Sequence, residues 1–157
     1  MAKKATKAAD NIFYKARMEA AACNDSLNSR EGAAELLGID RTRLARIELG
    51  SLNPYPEEVL LMSDAYNAPE LNNYFCSRMC PLGRGTIPAA ELLHLDRLTI
   101  RILSALGNTE FIQKTIIEIV KDGIVSDNEQ PQVQQILTAL ENISKAALEM
   151  KLWVEKN

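Results

Sequence analysis

The sequence is poor in aromatic residues, glycine and proline, and it contains a single histidine. Phe, Trp and Tyr together make up 5% of the 157 residues, and there are seven glycines and six prolines. Leu, Ala, Ile and Glu dominate instead, and this composition favours helices over strands. The length suits one domain of ordinary size or two small ones. We therefore expect an all-α protein.

Cysteines, long apolar runs and catalytic motifs are also scarce. Three cysteines are an odd number, which indicates reduced thiols rather than a disulfide framework. No apolar run reaches the roughly 18 residues of a membrane span, and no apolar signal core follows the basic N-terminus. There is no glycine-rich phosphate loop and no His-Glu-x-x-His motif. We expect a cytoplasmic protein with no membrane contact, no enzymatic activity and no cofactor.

The net charge of −3 is divided unevenly along the chain. The first 50 residues carry nine Lys and Arg against seven Asp and Glu, whereas the remainder carries nine against fourteen. Attraction to nucleic-acid phosphates depends on a local basic face rather than on the total charge. The charge distribution therefore favours the N-terminal part as a site of nucleic-acid binding and leaves the C-terminal part acidic.

Residues 29–50 predict two short helices joined by a tight turn. The side chains of Ser29 and Asp40 are suited to cap the first and the second helix, respectively. Gly38 lies between the two apolar runs, where the backbone must reverse its direction. The residues expected to hold the two helices together are Ala34, Leu37, Ile39, Leu44 and Ile47. The arginines of the second helix are left facing solvent, as in a helix-turn-helix DNA-binding unit.

This arrangement resembles the lambda-repressor-like (Xre, Cro/C1-type) family of helix-turn-helix regulators, of the kind found on phages and mobile elements. The similarity includes Ala34, the Leu37-Gly38-Ile39 turn and residues 46–50, and it covers roughly residues 10–78. It implies an N-terminal domain of five helices over residues 1–80 that binds double-stranded DNA. Lys3, Lys4 and Lys7 would form a basic arm that contacts phosphates, or else a solvated terminus.

The resemblance also implies which residues contact DNA, with the helix at about 41–48 in the major groove. The candidates for contacts with bases are Arg41, Thr42, Arg43 and Arg46, since an arginine can bond guanine through two N–H groups. The candidates for contacts with phosphates are Arg30, Ser51 and Asn53. The alternative for the arginines is a solvated face with surface ion pairs.

Two further features have both a functional and a structural interpretation. Glu48 could accept a hydrogen bond from cytosine, but the family resemblance favours pairing with a nearby basic residue. Cys76, Cys80 and His94 are weak candidates for a metal site, because the cysteine spacing suits zinc whereas the chain holds only one other cysteine and no second histidine. The expectation is packed or redox-labile thiols and no metal.

The chain after residue 80 predicts a second domain. Two prolines and two glycines within residues 81–88 exclude helix and strand and mark a linker. Amphipathic segments near 89–106, 109–122 and 130–155 then predict an antiparallel three-helix bundle over residues 89–157. The last segment carries a heptad seam: Val133, Ile136, Leu140, Ile143, Ala147, Met150 and Val154. This seam could close the bundle within one chain or pair two chains, and we expect a homodimer through the C-terminal helices.

These observations predict a sequence-specific double-stranded DNA-binding transcriptional regulator that acts as a repressor. The alternative is a protein-protein interaction module on a helix-turn-helix scaffold, with little or no DNA binding and with the acidic bundle as the surface for a protein partner. Salt dependence of binding to random duplex DNA distinguishes the two, because phosphate contacts weaken steeply with salt.

Overall fold

A computed structural model describes residues 8–121 and 123–157. Within these residues the protein is all-helical and has no strand, as the composition predicts. None of the helices described there combines the length and the apolar character needed to cross a lipid bilayer. The predicted basic arm of Lys3, Lys4 and Lys7 lies outside the described residues. The chain divides into two compact units, the first reaching Ile87 and the second running from Pro88 to Glu155.

Within its described residues, the first unit contains five short helices. They are α1 (Ile12–Ala20), α2 (Arg30–Leu37), α3 (Arg41–Glu48), α4 (Pro56–Ala65) and α5 (Glu70–Tyr74), the last of which continues as a π-helical turn over Phe75–Met79. A 3-10 turn over Asp25–Asn28 precedes α2. The helices enclose a core whose largest buried side chains include Phe13, Leu27, Leu44, Ile47, Met62 and Leu71. This core burial is what stabilises helices that are individually too short to persist in water.

Two details of the first unit have a clear local cause. Helix α1 begins after Asn11 because the Asn11 side chain accepts from the backbone N–H groups of Phe13 and Tyr14 at 2.9 and 3.2 Å. Gly32 lies inside α2 for a steric reason, because a Cβ atom there would lie 2.2 Å from the Ser26 carbonyl oxygen.

The second unit contains α6 (Leu95–Leu106), α7 (Thr109–Val120) and α8 (Gln130–Lys156). The first of these helices begins six residues later than the amphipathic pattern near residue 89 predicts. In the segment before this helix, the backbone N–H of Glu91 donates to the buried carboxylate of Glu149 at 3.3 Å. In the turn before α8, the backbone N–H and the hydroxyl of Ser126 donate to the Glu129 carboxylate at 2.8 and 2.6 Å.

The heptad seam of α8 is only partly buried within the chain. Ile136 is buried and Val133 and Ile143 are half-buried, in a cluster with Ile112 and Ile119 of α7. The later seam positions are exposed: Leu140, Ala147, Met150 and Val154. The buried side chains of α8 follow a neighbouring stripe instead: Ile136, Ala139, Ala146, Glu149 and Leu152. The interpretation in which the whole seam closes a bundle within one chain is therefore wrong.

Candidate nucleic-acid interface

The two helices α2 and α3 are joined and capped as the sequence predicts. The Ser29 hydroxyl accepts from the backbone N–H of Gly32 at 3.0 Å, and the Asp40 carboxylate accepts from the backbone N–H of Arg43 at 2.8 Å. Gly38 has a φ of 65°, in the left-handed region that glycine tolerates without a Cβ penalty. Local residue chemistry is therefore sufficient to set the start of both helices and the turn between them.

The third helix has one buried side and one exposed side. Leu44 and Ile47 are 0% and 1% exposed and pack in the core with Ala34 and Leu37. The predicted base-contacting residues lie elsewhere on the helix, and we call them the α3 surface: Arg41, Thr42, Arg43 and Arg46. Three of them are exposed, whereas Arg43 is half-buried. An exposed basic helix face on a rigidly packed scaffold is what entry into the major groove requires.

A buried ionic network fixes the C-terminal end of α3. Glu48 is fully buried and accepts from Arg17 Nε at 2.5 Å and Nη2 at 3.1 Å, and from Arg30 Nε at 2.6 Å. Arg17, itself 2% exposed, also donates from Nη1 to the Leu27 carbonyl oxygen at 2.6 Å. The structural role expected for Glu48 is confirmed. A charge-paired, bidentate contact of this kind is directional, so the network sets the position of α3 against α1 and α2.

The network also occupies one of the predicted phosphate contacts. Arg30 pairs with Glu48 while 31% of its side chain stays exposed at the N-terminal end of α2. This end carries the positive pole of the helix, which favours a bound anion. Arg30 therefore combines a structural pairing with a partly accessible guanidinium at an electropositive helix terminus.

Ser51 and Asn53, the other predicted phosphate contacts, differ in what they bond. The backbone N–H and the hydroxyl of Ser51 both donate to the Arg46 carbonyl oxygen, at 3.0 and 3.2 Å. These bonds, with that from the Asn11 side chain to the Ile47 carbonyl at 3.0 Å, satisfy the C-terminal end of α3. Both donors of Ser51 are thus engaged in capping, whereas Asn53 is an exposed loop residue.

Arg43 is held by two residues of the following loop and helix. Its Nε donates to Glu58 Oε1 in a short hydrogen bond, and its Nη2 donates to Glu58 Oε2 at 2.8 Å. The guanidinium lies over the Tyr55 ring at 4.2 Å from the ring centroid. Glu58 in turn accepts from the Tyr55 backbone N–H at 2.7 Å, which is the capping contact of α4. We call Arg43, Tyr55 and Glu58 the Arg43 clamp.

The clamp changes the electrostatics of this part of the α3 surface. The hydrogen bond from Arg43 is the main cause that lowers the pKa of Glu58 below its ordinary value, against a smaller opposing effect of burial. The same hydrogen bond raises the pKa of Arg43. Both groups are therefore charged at neutral pH and neutralise each other, so the exposed positive charge of this surface is mainly that of Arg41 and Arg46.

The predicted metal candidates are not assembled into a site. Cys76 and Cys80 lie on and directly after the π-helical turn and are partly exposed. His94 precedes α6 and belongs to the other compact unit. Across residues 8–121 and 123–157, no group of three or more His, Cys, Asp or Glu side chains could hold a metal ion.

Four residues of this site escaped the sequence prediction: Asn11, Arg17, Tyr55 and Glu58. The Pro56–Glu58 pattern signals the start of a helix, with proline at its first position and glutamate at its third. It does not signal a bond back to Arg43, fifteen residues earlier in the chain. Arg17 lies thirty-one residues from Glu48, and its only local sign is a charge among apolar positions of an amphipathic helix. Such long-range pairs need the folded structure.

Comparison with known proteins identifies no relative. No protein-family model, no curated protein and no solved structure matches this chain.

Proposed function

We propose that the protein is a sequence-specific double-stranded DNA-binding transcriptional regulator, acting as a repressor, whose α3 helix enters the major groove. The observation that carries the proposal is the combination of a capped α2–turn–α3 unit, a recognition helix held by the buried Glu48 network, and an exposed basic face on that same helix. The similarity of residues 10–78 to lambda-repressor-like regulators supports the same function. Rigid placement matters because base contacts depend on side chains being held in register with the duplex.

Arg41, Thr42 and Arg46 are the residues that we assign to base contacts without any rearrangement. They are exposed, and no ion pair of Arg41 or Arg46 occurs within the described part of the chain. Each arginine can donate two parallel N–H groups to O6 and N7 of a guanine, the commonest specific contact in the major groove. Thr42 can contribute a hydroxyl or a methyl contact, the latter to thymine.

Arg43 takes part in a second way, with Glu58 as a positioning residue. A guanidinium has five N–H donors, and Glu58 occupies one on Nε and one on Nη2. The remaining donors include N–H groups on both Nη atoms, which is the pair that an end-on contact with guanine uses. Glu58 and the Tyr55 ring would thus orient Arg43 for base recognition rather than remove it.

Contacts with phosphates are assigned to Arg30 and Asn53. Arg30 is partly exposed beside the N-terminal end of α2, and Asn53 is exposed in the loop after α3. We leave Ser51 out of this set because its donors cap α3. Phosphate contacts position the helix on the duplex and carry no sequence information themselves.

The first test is selection of duplexes from a random pool by the full chain, followed by titration of the selected duplex and a scrambled one. We expect Arg41→Ala to weaken binding to the selected duplex by roughly 5- to 150-fold, the equivalent of about 1–3 kcal/mol for a lost bidentate contact. Arg97→Ala, which removes an exposed arginine from α6, is the matched control and should bind like the parent. Equal binding by Arg41→Ala and the parent would contradict the assignment of α3.

The second test is salt dependence, which separates DNA binding from the alternative function. Each phosphate contact adds about 0.9 to the negative slope of log affinity against log salt concentration. We expect a linear decrease with salt for the parent and a shallower one for Arg30→Ala. Absence of binding to any duplex at low salt would overturn the proposal and would favour a protein-protein interaction module on the same scaffold.

A further inference from the structure

A cavity of about 330 Å³ lies in the second unit, between the beginning of α7 and the first half of α8, and we call it the α7–α8 cavity. Four side-chain amides line it, those of Asn108, Gln134, Gln135 and Asn142, together with the ring of Phe111. Among the described residues, no side chain of the lining is charged. Sites for small molecules span roughly 300–1,000 Å³. The cavity is therefore of a size for one small molecule rather than for a peptide or a dinucleotide.

The part of α8 that forms the cavity is unusual in its sequence as well. Residues 130–140 contain four glutamines and no charged residue, although a quarter of the whole chain is charged. The exposed face of a helix usually carries charged side chains. Gln134, Thr138 and Asn142 are four residues apart and so form one row along the helix. Beside this row the buried Ala139 is small and leaves a recess, so the uncharged stretch coincides with the cavity.

The four amides of the cavity have free hydrogen-bonding groups. Each primary amide offers two N–H donors and one carbonyl acceptor. Within the described residues, none of the four side chains bonds to another group of the protein, whereas amides elsewhere, such as those of Asn11, Asn24 and Asn72, do so. A ligand in the cavity would meet donors and acceptors side by side. It would find no opposite charge to offset the desolvation of a charge of its own, so we expect an uncharged ligand.

Phe111 provides the flat apolar surface of the cavity. Its side chain is 44% exposed on α7, whereas the other two phenylalanines of the chain pack in the core of the first unit. An aromatic ring beside hydrogen-bonding groups is suited to stack a planar heterocycle, as in proteins that bind nucleobases. Stacking accepts every base, because each base has a flat face. The choice among bases would therefore depend on the amides.

We propose that the α7–α8 cavity binds an uncharged adenine compound, adenine or adenosine, stacked on Phe111. The amide of an Asn or Gln side chain matches adenine, since its carbonyl accepts from N6 and its N–H donates to N7. Guanine is bound through O6 and N7 by arginine or lysine, and cytosine N4 donates to a carboxylate. Neither kind of side chain lines the described cavity.

The same lining argues against a nucleotide. A phosphate is held most strongly by arginine or lysine, and none of the lining residues is basic. A purine also covers more of the Phe111 ring than a pyrimidine does, which favours adenine over uracil. The proposal depends on the second unit alone, so a failure of DNA binding would leave it unaffected.

The test is calorimetric titration of the full chain, without DNA, with adenine, adenosine, guanosine, uridine and adenosine monophosphate in separate experiments. We expect adenine or adenosine to bind about tenfold or more tightly than guanosine and uridine, and the tighter of the two identifies the form that is bound. The monophosphate should bind no more tightly than adenosine. The proposal is overturned if neither adenine nor adenosine binds at up to about 1 mM, or if guanosine, uridine or the monophosphate binds more tightly than both.

Variants of exposed residues locate the ligand. Phe111→Leu keeps an apolar side chain but loses the flat ring, and it should weaken binding about fivefold or more. The double variant Gln134→Glu, Asn142→Asp keeps the shape of both side chains but replaces their N–H donors with acceptors, and a similar loss is expected. Gln113→Glu is the matched control, because Gln113 is an exposed amide of α7 that does not line the cavity, and it should bind like the parent.

Circular dichroism shows whether each variant keeps the helicity of the parent. Thr138→Arg covers the case in which the double variant does not, since it places one long side chain in the cavity at an exposed position of α8 and should abolish binding. Parental affinity in Phe111→Leu, or in both α8 variants, would place the ligand elsewhere and would overturn the proposal.

Discussion

Removal of the Glu48 carboxylate should be the most destabilising single change in the first unit. Glu48 is fully buried and accepts three hydrogen bonds from two arginines. In Glu48→Ala, Arg17 would keep its bonds to the Leu27 carbonyl oxygen and the Met18 sulfur, but it would remain a buried charge without an anion. Breaking a buried pair in this way costs about 3–5 kcal/mol of unfolding free energy.

The two arginines should differ in their importance, and the difference follows from their exposure. The side chain of Arg17 is 3% exposed, whereas that of Arg30 is 31% exposed and can be hydrated when its partner is lost. We therefore expect the loss of stability to rank Glu48→Ala above Arg17→Ala, and Arg17→Ala above Arg30→Ala, which should cost about 1 kcal/mol or less. The double variant Arg17→Met, Glu48→Leu should be close to the parent, because an apolar pair avoids the desolvation penalty of burying ions.

The assay is thermal unfolding followed through the near-ultraviolet circular dichroism of tyrosine. All four tyrosines lie in the first unit, whereas the only tryptophan, Trp153, lies in the second and reports on it separately. A loss of 3 kcal/mol should lower the midpoint of the tyrosine transition by about 12–24 °C for a unit of this size. A loss of less than about 1 kcal/mol in Glu48→Ala, or an Arg30→Ala variant as unstable as Arg17→Ala, would contradict the assigned roles of these ion pairs.

Three further predictions concern single side chains of the first unit. Glu58→Gln should reduce stability at neutral pH, and its difference from the parent should vanish in acid. The pKa of Glu58 is lowered in the folded state from an ordinary value of 4.5, so the stabilisation is fully present above pH 4.5 and is lost as the pH falls through the lowered pKa. Unfolding midpoints measured between about pH 7 and pH 3 would show this loss, and a pH-independent difference would contradict the pairing with Arg43. Gly32→Ala should lower the free energy of unfolding in urea by about 1–3 kcal/mol, despite the better helix propensity of alanine, because the added Cβ would lie 2.2 Å from the Ser26 carbonyl oxygen. A gain in stability would show that this contact relaxes freely. Tyr66→Phe should leave stability unchanged or raise it by about 1 kcal/mol in the same assay. The buried Tyr66 hydroxyl has no hydrogen-bond partner within the described residues, and burial raises its pKa. A marked loss of stability would indicate a partner for that hydroxyl.

Much of the first unit could be predicted from short-range patterns. Ser29, Gly38 and Asp40 act through bonds or backbone angles within three residues of themselves, so their roles follow from the local sequence. The apolar residues around them follow from helical periodicity. The bond from the backbone N–H of Glu91 to the Glu149 carboxylate could not be predicted, because the two residues lie fifty-eight positions apart in the chain.

The position of the candidate site could be predicted from the sequence, but the ion pairing of its arginines could not. The spacing of Arg41, Thr42, Arg43 and Arg46 places them on one short helix, and three of them are exposed there. Whether an arginine on such a helix is free or paired depends on residues that return from elsewhere in the chain. Arg43 is therefore the residue for which sequence reasoning was least informative.

Short-range patterns account for the helical class, the capped α2–turn–α3 unit and the burial of Leu44 and Ile47, because propensity, capping and periodicity act over a few residues. Long-range packing sets which charges are paired: Glu48 with Arg17 and Arg30, and Arg43 with Glu58. It also decided which stripe of α8 is buried, and so left the later part of the heptad seam exposed. The physical reason is the same for each of these, since burial and ion pairing depend on groups far apart in the chain that only the folded protein brings together.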